Sequence, residues 1–312
     1  MRMGLASLID EGLAVYAGES LAFHAARQAA GGQKGPGTYE ELQQARGRLT
    51  TGPADSRAVE RVVHAGKRQV PVRIIGPASG ASRATYLDIH GGGFFMDSAA
   101  RSDARNARLA DSLSVTVVSV EYRLAPEHPW PAAPDDCETA ALWVLKEGQT
   151  VFGTEQMLIG GASAGATLAV ATMLRLRDRG EAHHILGAAL QFGAYDLSGR
   201  SPSGRLFAGE WFIEAYAGHV PDRTDPDVSP LYGDLRGLPP TLLLVGTLDV
   251  LLEDNLAMAA RLSAAGNDVD LRVFPHAMHG FTSHPTSMAA AASDGIEGWL
   301  ACRLQEERDA AS

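Results

Sequence analysis

Between Ala58 and His276 the chain alternates short apolar runs with longer stretches in which apolar residues recur every three or four positions. The runs are "AVERVVHA" (58–65), "QVPVRII" (69–75), "ATYLDIH" (84–90), "VTVVSVEY" (115–122), "QMLIGG" (156–161), "GAALQF" (187–192), "TLLLVG" (241–246) and "VDLRVFPH" (269–276). In the second, Val70, Val72 and Ile74 alternate, and Pro71, which has no N–H to donate, places the strand near a sheet edge. Several later runs are continuously apolar, as strands buried on both faces are. The intervening stretches 101–112, 133–147, 164–179, 252–265 and 287–307 have the helical period. Buried strands alternating with helices predict an α/β fold, a mostly parallel sheet covered on both faces.

Two regions depart from this alternation. Ahead of the first strand, Leu5, Leu8, Ile9, Leu13 and Tyr16 have helical spacing within residues 1–30, and "GGQKGPG" (31–37) breaks it. Thr38 and Glu41 then stand at capping-box spacing, opening a second helix that fades at "TTGP" (50–53). Residues 195–240, rich in Pro, Gly and Asp around "RLFAGEWFIEAYAG", read as an insertion over the sheet.

Composition narrows the partners. With 45% hydrophobic and 21% charged residues, the 312-residue chain suits one large globular domain, or a core domain with a small cap. A net charge of -10 disfavours nucleic acid and anionic membrane, which need clustered Lys and Arg, and leaves small molecules as the expected partners. Two cysteines, Cys137 and Cys302, are too few for a disulfide framework and lack metal-ligand spacing, so a reducing compartment is expected; neither a metal nor a cofactor is expected. Asp10 and Glu11 interrupt the first apolar residues, so no signal peptide or anchor is expected and the cytoplasm is the predicted location.

In open α/β sheets ligands gather at the carboxyl ends of strands. Four such ends carry reactive or permissive residues. "GASAG" (161–165) places Ser163 on a strand-to-helix turn between two glycines, with the N–H of Ala164 at the head of a helix. The five-letter pattern alone arises by chance in roughly one sequence in five of this composition, and Ser163 could be only a turn residue. His90, Gly91, Gly92 and Gly93 form a rarer quartet whose backbone can approach a ligand and point N–H groups at one oxygen. A phosphate loop would want a Lys-Ser or Lys-Thr pair soon after, which "GGGFFMDS" lacks. Asp249 follows a strong apolar strand and could orient an imidazole or merely cap the next helix, whereas Glu253 and Asp254 fall inside that helix. "FPHAMHGF" offers His276 and His279; His279, followed by Gly280, is the better placed base and His276 reads as structural. The order Ser163, Asp249, His279 is that of an α/β-hydrolase triad, with the glycine loop upstream as an oxyanion hole.

The blocks "HGGGF" (90–94), "EYRLAPEHPWPAAPDD" (121–136), "GASAG" (161–165), "DPDVSPLYGDLRGLPPTLLLVGTLDVLLED" (225–254) and "HAMHGF" (276–281) resemble the hormone-sensitive-lipase-like esterases of the α/β-hydrolase superfamily. The resemblance implies an eight-stranded α/β-hydrolase fold with a helical cap. Ser163, Asp249 and His279 would be the catalytic residues, and Gly91, Gly92, Gly93 and Ala164 the oxyanion donors. It further implies an amino-terminal cap segment at 1–55, a catalytic domain at 56–312 and a second cap segment at 195–225. A homodimer through the edge of the last strand, 269–274, also follows from it. The implied reaction is hydrolysis of a small-molecule ester of short to medium acyl chain; a lactone, an amide or an acetylated natural product would use the same triad. A non-catalytic ligand-binding relative is disfavoured because His279 is present. Phe94, Phe95, Trp211, Phe212 and Phe281 are candidates for an apolar substrate wall, although 207, 211, 212 and 216 also have helical spacing and could only pack the cap. Two departures stand out: Ala162 and Ala166 replace the family's usual polar residue and glycine around the serine, and "FFMDS" follows the glycine loop.

Overall fold

The computed structural model describes residues 4–29, 35–50 and 54–310. The eight apolar runs form β1 (Val59–Ala65), β2 (Arg68–Ile75), β3 (Thr85–Ile89), β4 (Thr116–Val120), β5 (Met157–Ala162), β6 (Ile185–Gln191), β7 (Thr241–Gly246) and β8 (Val269–Phe274). They make one sheet in the order β1-β2-β4-β3-β5-β6-β7-β8. β2 runs antiparallel to both β1 and β4, and every other pair is parallel. Pro71 lies in β2, next to the edge strand, and its missing N–H costs no ladder bond to β4 because that pairing begins at Val72.

The period-two alternation of the strands sorts their side chains into two cores. Leu87, Ile89, Val118, Val120 and Leu243 face the helices α4 (Ala132–Phe152), α5 (Ala164–Asp178) and α7 (Leu252–Ala264). Tyr86, Val117, Leu242 and Leu244 face α3 (Asp103–Leu113) and α8 (Ser287–Ala310) on the other side. β3, β4 and β7 are buried along their whole length, which is why they read as unbroken apolar runs.

Strand order reverses at β3, since the chain goes from β3 outward to β4 and then returns to β5 on β3's other flank. Ile89 therefore stands opposite Gly161 in the parallel ladder, and the loops that follow β3 and β5 leave the sheet side by side. Such a switch point is where an open α/β sheet offers a crevice.

The amino-terminal segment differs from its periodicity. Residues Leu5–Leu8 and Glu11–Tyr16 are two short 3₁₀ turns, and an α-helix, α1, runs only over Ala17–Ala29. The reason is tertiary: Ile9, between the turns, is extended and bridges in parallel to Val273 on the outer edge of β8. A dimer through that edge would compete with this bridge. α2 (Tyr39–Arg48) starts as predicted at Thr38, whose Oγ1 accepts the Glu41 N–H at 3.2 Å, while Glu41 accepts from Gly37 rather than from Thr38. Residues 31–34 of the glycine breaker (31–37) and most of "TTGP" lie outside the described residues.

Between β6 and β7 the insertion contains one short helix, α6 (Trp211–Ala217). Asp254 of α7, fully buried, ties its base down by accepting from the N–H groups of Tyr195 and Asp196 and from the Ser203 hydroxyl. Burial pushes this carboxyl up to about 6. Farther along, Asp227 receives Arg175 of α5 at 2.6 Å and the Trp130 indole N–H at 2.9 Å, so the insertion is also pinned to the core.

Candidate active site

Ser163 follows β5 directly and precedes α5, with φ 54° and ψ -122°. A non-glycine residue holds that backbone only where its surroundings impose it. Here the Ser163 N–H donates to the Gln191 carbonyl at 2.8 Å, and its own carbonyl accepts from Ala166 and Thr167 at 2.9 and 3.2 Å. Glycine is required on either side for lack of space. A Cβ at Gly165 would overlap the Ile89 carbonyl oxygen, and one at Gly161 would sit 2.7 Å from that same oxygen. Because all these bonds are backbone bonds, Ala162 and Ala166 complete the turn without a polar side chain.

His279 lies in the loop between β8 and α8. Its Nε2 is 2.9 Å from Ser163 Oγ, and its Nδ1 is 3.0 and 3.1 Å from the two carboxylate oxygens of Asp249. An ionised carboxylate only accepts, so Nδ1 carries the proton and Nε2 is left as acceptor for the Ser163 hydroxyl. The Asp249 side chain is wholly buried, and its Oδ1 also accepts the Leu251 N–H at 2.9 Å. Orienting the histidine and supporting the start of α7 are thus both roles of one side chain. His276 is exposed, with its backbone N–H on Thr247 Oγ1, and Glu253 is exposed too.

The glycine loop packs against this turn. A Cβ on Gly91 would lie 2.8 Å from the Ala162 carbonyl oxygen and 3.6 Å from Ser163 Cβ. Gly92, at φ 98°, folds the loop back so that its carbonyl accepts from Met96 at 2.9 Å, and a side chain there would overlap the Met96 carbonyl. Among the described residues, the N–H groups of Gly91, Gly92 and Gly93 donate to no protein acceptor. Ala164 heads α5, where the first N–H groups have no intrahelical partner. Of the three glycines Gly91 lies nearest the serine, and Ala164 follows the serine directly in the chain.

Several supports of the site were not legible as such in the sequence. Tyr122, buried at the end of β4, donates to the carbonyls of His90 and Gly91 and stacks on the His90 ring at 4.1 Å. His90 Nδ1 lies 2.9 Å from the same Gly91 carbonyl. Gln191, whose carbonyl anchors Ser163, takes the Thr282 hydroxyl on its side chain at 2.8 Å and so links the Ser163 turn to the loop that carries His279. Arg46 of α2 donates to the carbonyls of Phe95 and Ala125 and pairs with Glu127.

The aromatic candidates divide. Phe94 is fully buried at φ 64° and stacks flat on Tyr216 of α6 at 4.0 Å, while Phe95 packs against Trp211 and Phe212. Phe207 and Tyr216 are buried in the main core cluster, so that side of the insertion packs onto the core. Trp211 and Phe212 are half-exposed, and Phe212 lies directly over Gly93, 3.5 Å from where a Cβ would be. Phe281 is not on this wall. It is buried between the rings of Phe192 and Phe274 in the core under α8, because the turn at Gly280 directs it back beneath the sheet edge. The Phe192 ring in turn meets the His279 ring at 70°, with centroids 5.1 Å apart.

Among the described residues no cluster of side chains suits a metal ion, and no helix is long and apolar enough to cross a membrane.

Residues 86–283 match the model of an α/β-hydrolase fold family. A carboxylic ester hydrolase of Mycobacterium tuberculosis is 31% identical over 229 residues, covering 68% of this chain and 61% of that protein. An ethyl acetate hydrolase of Pseudomonas putida is 31% identical over a stretch covering 68% of this chain and 71% of that one. A hormone-sensitive lipase from a metagenome library, solved by crystallography, superposes with a TM-score of 0.74 at 29% identity, over 92% of this chain and 97% of that one.

Proposed function

Because the chain belongs to the α/β-hydrolase family, in its hormone-sensitive-lipase-like branch, we propose that it is a serine carboxylesterase acting on short- to medium-chain esters. The observation that carries this reading is the relay from the buried Asp249 carboxylate through both nitrogens of His279 to Ser163 Oγ. In the first half-reaction His279 Nε2 takes the hydroxyl proton as Oγ attacks the ester carbonyl. The carbonyl oxygen becomes anionic within reach of the N–H groups of Gly91–Gly93 and Ala164, which are already fixed before the charge develops. The imidazolium, stabilised by Asp249, then protonates the departing alkoxide and leaves an acyl-serine. Water follows the same route: His279 removes its proton, the hydroxide attacks the acyl carbon, and Ser163 departs with the proton returned by His279.

The loop donors owe their direction to Gly92. Gly92→Ala is expected to lower kcat by roughly 10²- to 10³-fold, the cost of losing an oxyanion donor. Steady-state kinetics with p-nitrophenyl butyrate, with circular dichroism as the folding control, would check it.

Chain-length preference follows from the cap. Phe94 stacks on Tyr216 next to the glycine loop, and Phe212 stands over Gly93, where it would meet a long acyl tail. Across p-nitrophenyl acetate, butyrate, octanoate and palmitate, kcat/KM is expected to peak at acetate or butyrate. Phe212→Ala should shift the optimum toward octanoate. A wild-type maximum at palmitate would overturn the proposed acyl range, and amide hydrolysis without ester hydrolysis would overturn the substrate class. The two cysteines are unpaired, as suits a reducing compartment such as the cytoplasm.

A further inference from the structure

Helix α1 lies across the loop that carries His279, and the face it presents is not an ordinary packing face. Ser20, Phe23, His24 and Arg27 stand at i, i+3, i+4 and i+7 and form one stripe, three of whose four members are polar. Each meets the loop. The Ser20 hydroxyl, nearly buried, donates to the His276 carbonyl at 2.8 Å. His24 Nδ1 lies 3.2 Å from the Met278 sulfur, which can only accept. The Phe23 ring rests on the His284 ring at 4.7 Å, and Arg27 Nη1 donates to His284 Nε2 at 2.9 Å. One residue before Ser20, the Glu19 carboxylate takes the N–H of Ser287 at 2.9 Å, where α8 begins. The contacts therefore bracket His279, falling at residues 276 and 278 before it and at 284 and 287 after it.

The segment being held has reason to move if released. His276 is a non-glycine residue at φ 54°, Gly280 is at φ 75°, and His279 lies between these two left-handed positions. The carbonyl that Ser20 holds belongs to the strained residue itself. From this we infer that α1 is a positioning helix for His279, with Ser20 as the residue that fixes the loop's entry and His24 the one that fixes the residue next to the base. Neither touches substrate; both act through the loop. The inference rests on the proposal that His279 is the general base.

The test is Ser20→Ala and His24→Leu in the full chain. Displacement of a catalytic group by 1 Å can cost as much as about 10²-fold, so kcat of Ser20→Ala is expected to fall on the order of 10-fold with KM within about 2-fold. Because the defect lies in the base and not in the acyl pocket, the fall should be the same for acetate, butyrate and octanoate esters. Inactivation by a small p-nitrophenyl alkylphosphonate should slow by a similar factor. Ser20→Thr, which restores a hydroxyl donor, should recover most of the rate, and His24→Leu should reproduce the pattern more weakly. Unchanged kcat in both Ser20→Ala and His24→Leu would overturn the inference. So would a loss confined to KM or to the longer esters, which would make α1 a cover for substrate instead. Ser163→Ala run in parallel keeps the two readings apart: retained turnover there removes the triad itself, whatever the α1 variants do.

Discussion

Ser163→Ala is expected to lower kcat on p-nitrophenyl butyrate by on the order of 10⁴-fold or more, while the protein stays folded. The size of the loss follows from the unit the serine belongs to. With Oγ gone, His279 and Asp249 have no nucleophile to activate, and only the fixed N–H groups and the crevice remain to assist attack by water. Folding should survive because the turn is held by the Ser163 backbone, through Gln191, Ala166 and Thr167, and not by its hydroxyl. Alanine in the strained backbone at φ 54° is no worse placed than serine. Steady-state kinetics together with thermal melting would check both halves of this expectation.

Asp249→Asn should cost about as much, on the order of 10⁴-fold in kcat, for a different reason. Oδ1 of Asp249 is committed to the Leu251 N–H, so an asparagine would keep its carbonyl there and turn its amide N–H toward His279. Nδ1 would then have to accept, and the ring proton would move to Nε2, where it blocks transfer from Ser163. The start of α7 keeps its acceptor throughout. The variant should therefore melt within a few degrees of the wild type and be inactive, a pattern that separates the catalytic role of Asp249 from its support of the helix.

Much of this site can be read along the chain because its parts are local. Gly161 and Gly165 flank Ser163 where a Cβ would collide with β3, and the glycines after His90 leave their N–H groups undonated, so both needs appear as short patterns. The strands were legible for a similar reason: β3, β4 and β7 are buried on both faces and need unbroken apolar runs. The choice of His279 over His276 rested on the following glycine, and the structure puts His279 against Ser163 while His276 stays exposed.

What could not be read depends on contacts distant in sequence. The spacing from Leu5 to Tyr16 reads as a helix, but a bridge from Ile9 to Val273 breaks it into two 3₁₀ turns. Phe281 was a candidate for the apolar wall, yet the turn after His279 sends it into the opposite core. Tyr122, Gln191 and Arg46 carry no local pattern that marks them as supports of the site. Nor does α1, whose stripe of Ser20, His24 and Arg27 gains meaning only from a loop some 250 residues away.

The central claim is that His279, held by Asp249, makes Ser163 a nucleophile, and covalent capture tests it most directly. A p-nitrophenyl alkylphosphonate should form one Oγ–P bond with release of p-nitrophenolate, and peptide mapping of the inactivated protein should find the adduct on Ser163 alone. It should be absent from Ser163→Ala and form far more slowly in Asp249→Asn. An adduct on another residue, or esterase activity that persists in full while Ser163 is phosphonylated, would contradict the account.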